Sequence, residues 1–318
     1  DHDSPSPPIG ENWYDEGTFI TAYVTSPADE GGGTRYRCTG WTGAGSVPTS
    51  GTGVSVTFNI NAPSTITWNW ITQYLVTFQQ SGSEGTPHVM MDGITYTLPC
   101  SLWFDAGSSH SFSYESPVSG GTGIQCLLTS TSHSSPITVT SSITITGQYK
   151  TQYYLTVSSL YGITSGAGWY DSGSTAYAKL NTGIISGTVG TRYVFTSWSG
   201  DASGTNYVQS DPMVMDGPKT AIANWKTQYK LTVHINGLGT KVTAIYNDTA
   251  ILGSATDATP FTGWFGQYAL IQLDLDSPIY GRPIRYVFTH WTGNATGSSR
   301  PISVTMNSPK DITANYKA

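Results

Sequence analysis

Charged side chains are scarce in this sequence. Asp, Glu, Lys and Arg make up only 11% of its 318 residues, against about 25% in an ordinary soluble domain. No run of Lys or Arg occurs and the net charge is −6, which excludes the basic footprint of a nucleic-acid-binding protein. No stretch of about 18 apolar residues is present, so no membrane-spanning helix is expected. The three cysteines, Cys38, Cys100 and Cys126, form no C-x-x-C pair, which argues against a structural zinc site. Sustained helical periodicity is missing throughout. So are a G-x-S-x-G elbow, a phosphate loop and an H-x-x-x-H pair. Asp201, Asp211 and Asp216 sit in loops without the D-x-D-x-D run of a calcium site. No cofactor, no metal and no enzymatic activity are expected.

What is present is repetition. "KTQYYLTV" (150–157) returns as "KTQYKLTV" (226–233) and appears earlier as "ITQYLVTF" (71–78). Self-similarity at a nearly constant interval signals a repeat architecture. Each copy alternates apolar and polar residues as a half-buried strand does. An aromatic hairpin follows: "NWYDEG" (12–17), "LWFDAG" (102–107), "GWYDSG" (168–173) and "GWFGQY" (263–268). In the Asp-x-Gly strings Asp caps its own turn and Gly takes a positive φ. The "DSG" at 171–173 also spells an aspartic-protease motif, but that chemistry needs two such carboxylates sharing a proton. The turn explains it.

Next come "GTRYRCTGWTG" (33–43), "GTRYVFTSWSG" (190–200) and "RPIRYVFTHWTG" (282–293), degenerate in the second copy as "TGIQCLLTST" (122–131). A closing hairpin ends each unit, as in "FNINAPSTITWNW" (58–70), "MVMDGPKTAIANW" (213–225) and "VTMNSPKDITANY" (304–316). The reading is all-β: a tandem array of four small repeats. Their spans are 1–72, lacking its first strand; 73–151, divergent and carrying an extra hairpin at Asp92-Gly93; 152–227; and 228–318, carrying an insertion that turns at Asn247-Asp248. The chain thus reads as two copies of a short–long pair.

The order Y-x-L-T-V, W-Y-D-x-G, R-Y-x-F-x-x-W-x-G and V-x-M-D-x-P-K-x-I-x-A-x-W resembles the divergent InlB B-repeat family. The resemblance is strongest in the first and third repeats and in the second half of the fourth. It implies small β-grasp-like or sandwich-like domains of a secreted or cell-surface tandem-repeat protein of a prokaryote, in a spacer or adhesive role, with no catalytic residues to carry over. The expected function is therefore that of an extracellular stalk, fibre, sheath or adhesin shaft. The alternative is an array of glycan-binding modules beside a secreted enzyme. Expected partners are copies of the chain or further repeats of a longer parent, and glycans.

Several residues stand out. Trp41, Trp198 and Trp291 recur in register and read as core. Trp68 breaks register, since Ala223 and Ala314 take its place, and is the best candidate for an exposed ring that stacks on sugar. Cys100 and Cys126 fall in one repeat and are expected to form a disulfide, with Cys38 a buried thiol. Asn247 and Asn294 head N-glycosylation sequons in expected turns. The first repeat lacks the Gln-Tyr strand but keeps Trp13, Tyr14, Tyr36, Trp41 and Trp70. These should line an open groove, filled by a neighbouring chain's strand or by residues of a parent protein before Asp1.

Overall fold

A computed structural model describes residues 2–247, 249–256 and 258–318. Every regular element among the described residues is a β-strand. The chain divides into two compact units, Asp1–Tyr153 and Tyr154–Ala318.

The first unit is organised by one 17-residue strand, Thr65–Ser81. Thr34–Ala44 pairs antiparallel with it, from Thr34↔Tyr74 to Ala44↔Thr65. Its C-terminal half takes Cys100–Asp105 on the antiparallel side, with Val76↔Leu102. On its other side that half takes the start of Ile143–Ser159 in parallel, with Ile143↔Val76. Alternation decides which residues are buried: Val76 and Phe78 have no exposed surface, while Thr77 between them bonds Ser101 at 2.9 Å on the opposite face. A second layer closes the core. His88–Met91, Ile94–Thr97 and Phe112–Tyr114 form a three-stranded sheet. Its Val89, Met91, Phe112 and Tyr114 pack on Val76, Phe78 and Ile145. Each such side chain contributes about 1.5–3 kcal/mol on burial. A smaller sandwich packs Ala22 and Val56, from the paired strands Phe19–Tyr23 and Ser55–Asn59, against Trp41 and Ile66.

The second unit repeats the plan around Lys219–Asn236. Thr191–Gly200 and Phe261–Gly266 pair with it antiparallel. Lys310–Lys317 runs parallel to its C-terminal half, with Leu231↔Lys310, and residues 155–159 run parallel to its N-terminal half, with Leu155↔Lys219. The core joins Leu231, Val233 and Ile312 to Val242, Ala244, Ile271 and Leu273 of a four-stranded second sheet. Among the described residues no helix is long and apolar enough to cross a membrane.

The same bulge recurs at aligned places in the ladder: between Cys38 and Gly40, Leu128 and Ser130, Phe195 and Ser197, and Phe288 and His290. The degenerate "TGIQCLLTST" therefore keeps the geometry after losing the motif. The extra hairpin at Asp92-Gly93 is present, both residues at positive φ (48° and 85°), as a two-residue turn of the mirror-image type requires. The later insertion pairs Thr240–Tyr246 with Thr249–Ala255, with Asn247 at φ 48°. Asp248, its expected partner in the turn, lies outside the described residues.

The expected Cys100–Cys126 bond is absent, and Cys38, Cys100 and Cys126 are all free thiols. The two strands that were to lie side by side pair elsewhere. Cys100 faces Phe78 of Thr65–Ser81, whereas Cys126 sits between Val118 and Thr151. Both sulfurs belong to the apolar core, and burial pushes the Cys100 thiol pKa up. Cys38 is buried, as expected, opposite Trp70.

Candidate functional site

A cleft of about 960 Å³ opens in the segment 2–72. It is lined by Trp13 and Tyr14, by the stretch Ser64–Trp68, by Ile20, Ala22 and Phe58, and by Pro7, Pro8 and Ile9 of the N-terminal segment. Trp13 is 91% exposed. Its neighbours 11–18 belong to no strand, although the Asp-x-Gly turn after it is intact. The glycines of the three Asp-x-Gly turns, Gly17, Gly107 and Gly173, have φ of 82°, 81° and 78°.

At aligned positions the hairpin tryptophans are held. Trp103 and Trp264 lie in strands paired with Thr65–Ser81 and Lys219–Asn236. The guanidinium groups of Arg35 and Arg192 cover their rings at 4.3 and 4.5 Å. Those arginines are fixed by the Gln of the Gln-Tyr string. Arg35 Nε donates to Gln73 Oε1 and Arg192 Nε to Gln228 Oε1, each at 2.8 Å. Gln73 passes the network on to Asp105 at 2.7 Å, and Asp105 also takes Arg37 at 2.9 Å. Trp169 stands edge-on to Tyr154 of its opening strand at 5.2 Å. Trp13 has no such strand beside it.

The expected groove residues therefore separate. Trp13 and Tyr14 line the cleft. Trp41 does not, being buried in the small core because its register faces the second layer. Tyr36 and Trp70 are covered by His2, which stacks on Tyr36 at 3.4 Å and meets Trp70 edge-on at 5.9 Å. Trp68 is half-buried rather than exposed, edge-to-face with Trp41 at 5.9 Å. Period-two alternation with Ile66 puts it on the core face.

The His2 arrangement has a counterpart in the segment 152–227. There Tyr161 stacks on Tyr193 at 3.8 Å and meets Trp225 edge-on at 5.7 Å. One bond differs. Trp225 Nε1 donates to Ser159 Oγ at 2.9 Å, whereas the buried Nε1 of Trp70 has no acceptor. The other aromatic residues at this register position are also bonded. Tyr149 donates to the Glu115 carbonyl at 2.7 Å and Tyr316 to that of Asp276 at 2.6 Å. Burial pushes each of these two hydroxyls up to a pKa of about 12.

A second constellation was not foreseen from sequence. His110 Nδ1 lies 2.6 Å from Asp92 Oδ2, and its Nε2 lies 2.8 Å from Ser108 Oγ. The order Ser–His–Asp imitates a hydrolytic triad. The serine, however, donates to the Asp105 carbonyl at 2.6 Å, as Thr18 and Ser174 do to Asp15 and Asp171 at the same distance. Its hydroxyl closes the Asp-x-Gly turn. The Asp92 carboxyl, held below the usual range by His110 and then by the Ser111 amide, pins the inserted hairpin tip to the strand beside it. The loop acids are similarly engaged: Asp201 caps Thr220 N at 2.7 Å, Asp211 takes Ser203 Oγ at 2.8 Å, and Asp216 pairs with Lys219 at 2.8 Å. Asn294 matches Asp201, its Oδ1 taking Asp311 N at 2.7 Å, and the residue is exposed.

Two stretches, residues 153–229 and 285–318, match the family model of the Divergent InlB B-repeat domain. The first runs from one Gln-Tyr strand to the next, and the second covers the second half of the last expected repeat. The segment 2–72, where the motif resemblance is also strong, lies outside the matched residues. No curated protein matches the chain. In these two stretches the protein is thus similar to a tandem β-repeat family associated with bacterial surface proteins.

Proposed function

We propose that this chain is a structural segment of an extracellular surface protein, four β repeats in a stalk, fibre, sheath or adhesin shaft. The observation that carries the reading is the continuity of Thr65–Ser81 and Lys219–Asn236. In each, the closing strand of one expected repeat becomes the opening strand of the next without a linker residue. Both halves are paired laterally, and the Arg–Gln contacts sit at the crossing. A junction of this kind resists bending because a hinge would break ladder bonds on both sides. The hydroxyl-rich outer faces, such as that of Thr77 and Ser101, fit a mechanical role. No hydrolase or transferase activity is expected. Immunogold labelling of intact producing cells tests the reading. Label along extended surface structures supports it, and label confined to the cell interior overturns it.

A second reading, glycan binding, is favoured by the exposed Trp13 beside Asn12, Glu11 and Glu16 at the cleft. A saccharide bound by the chain and lost in Trp13→Ala would support it.

A further inference from the structure

We propose that Tyr161 and Tyr193 form an oxidative crosslinking site, where a one-electron oxidant joins the two phenol rings as dityrosine. The rings stack nearly parallel, with centroids 3.8 Å apart and planes 10° from each other. Their hydroxyls lie at the same end of the stack. Burial, and then the hydrogen bond with the Tyr193 hydroxyl, push the Tyr161 pKa up. The ring carbons beside each hydroxyl are therefore neighbours, and these carbons carry much of the unpaired electron of a tyrosyl radical. Both residues are partly exposed, so an oxidant in solvent can draw electrons from them.

The pair is held from both sides. Tyr193 lies inside Thr191–Gly200, opposite Thr227 of Lys219–Asn236. Tyr161 follows Ile143–Ser159, and its carbonyl accepts from the Ser159 hydroxyl at 2.5 Å. Just beyond, Asn181 Oδ1 accepts from the Ile163 amide at 2.8 Å. Trp225 closes the open edge of the Tyr161 ring at 5.7 Å. Two groups fixed this close react with each other in preference to distant partners, because the entropy of bringing them together is already lost.

Packing alone does not call for two phenols here. In segment 2–72 the same place is taken by His2, which stacks on Tyr36 at 3.4 Å. An imidazole thus satisfies the stack, and a phenol at 161 adds its hydroxyl and its redox chemistry. Among the described residues no other two tyrosines stack face to face.

The electrons balance. Each phenol gives up one electron and its hydroxyl proton. The two radicals couple through one carbon ortho to each oxygen. The hydrogens on those carbons leave as protons and the oxygens regain theirs, so the chain loses two hydrogens in all. Hydrogen peroxide, acting through a haem peroxidase, takes up the two electrons and two protons and becomes two waters. The new bond closes the loop 161–193 and restricts the unfolded chain as a disulfide does. The three cysteines, all free, supply no such staple. The inference stands on the ring pair alone, so its failure leaves the structural reading of the whole chain untouched.

The test treats the full chain, kept dilute, with a haem peroxidase and a limiting amount of hydrogen peroxide. Expected is dityrosine fluorescence in the monomer band of a denaturing gel, with an intact mass lower by two hydrogens. Peptide mapping should find Tyr161 joined to Tyr193. Tyr161→Phe and Tyr193→Phe keep a ring in the stack and should melt as the parent chain does before oxidation, yet each should lose nearly all of the monomer signal. Absence of dityrosine from the monomer overturns the proposal. So does dityrosine confined to linked chains, a crosslink that maps to other tyrosines, or equal monomer signal in Tyr161→Phe.

Discussion

The segments 2–72 and 152–227 share a motif order, a bulge, a stacked ring pair and an Asp-x-Gly turn, yet differ by one strand. With the strand, Trp169 leans on Tyr154 and Trp225 bonds Ser159. Without it, Trp13 stands in solvent and the Trp70 N–H has no acceptor. The comparison teaches that the Gln-Tyr strand is more than a rung of the ladder. It supplies the hydroxyl for one aromatic residue, the ring for another and, in Leu155, a fully buried apolar side chain.

The largest difference between the two should appear in their cores. Leu155, fully buried, has no counterpart in segment 2–72. Leu155→Ala should lower the stability of the second unit by about 2–5 kcal/mol. Trp13→Ala should change the first unit by less than about 0.5 kcal/mol, as an exposed surface change does. Urea denaturation of both variants checks the contrast, and equal losses would break it.

A smaller effect separates the paired indoles. Trp225→Phe and Trp70→Phe remove similar apolar surface, but only the first breaks a bond and strands Ser159. Trp225→Phe should cost about 1–3 kcal/mol more. Matching denaturation midpoints would show that the Trp70 N–H is satisfied by other means.

Acid should act on the inserted hairpin. The Asp92 pKa is lowered in the folded chain from the ordinary 3.8, chiefly by His110 and then by the Ser111 amide. Its contribution is therefore present above pH 3.8 and lost as pH falls through the lower folded value. Asp92→Asn should flatten the acid limb of the stability curve of the first unit. An unchanged slope below pH 4 would remove Asp92 from the account. The least perturbing test is chemical: labelling under denaturing, non-reducing conditions should find three free thiols.

Much of this architecture was legible because strand alternation and turn chemistry are local. The Tyr-x-Leu-Thr-Val copies, the Asp-Gly hairpin and the Asp-x-Gly turns each follow from a few consecutive residues. What was not legible depends on which strands become neighbours. Cys100 and Cys126 are close in sequence, but the parallel pairing of Ile143–Gln148 with Val76–Ser81 sends their strands to different partners. The role of Gln73 and Gln228 as clamps for arginines over tryptophans is likewise a product of the ladder. His2 as the stand-in for Tyr161 carried no motif at all. Of the residues expected in the groove, Trp13 and Tyr14 line the cleft. Trp41, Tyr36 and Trp70 do not line it, since the second layer covers Trp41 and His2 lies against Tyr36 and Trp70.

Residue-resolved hydrogen exchange on the free chain tests most directly whether segment 2–72 is the 152–227 plan less one strand. The account predicts that the amides of 64–68 that point into the cleft exchange much faster than their counterparts in 219–223, which pair with 155–159. Equal protection of the two stretches would contradict it.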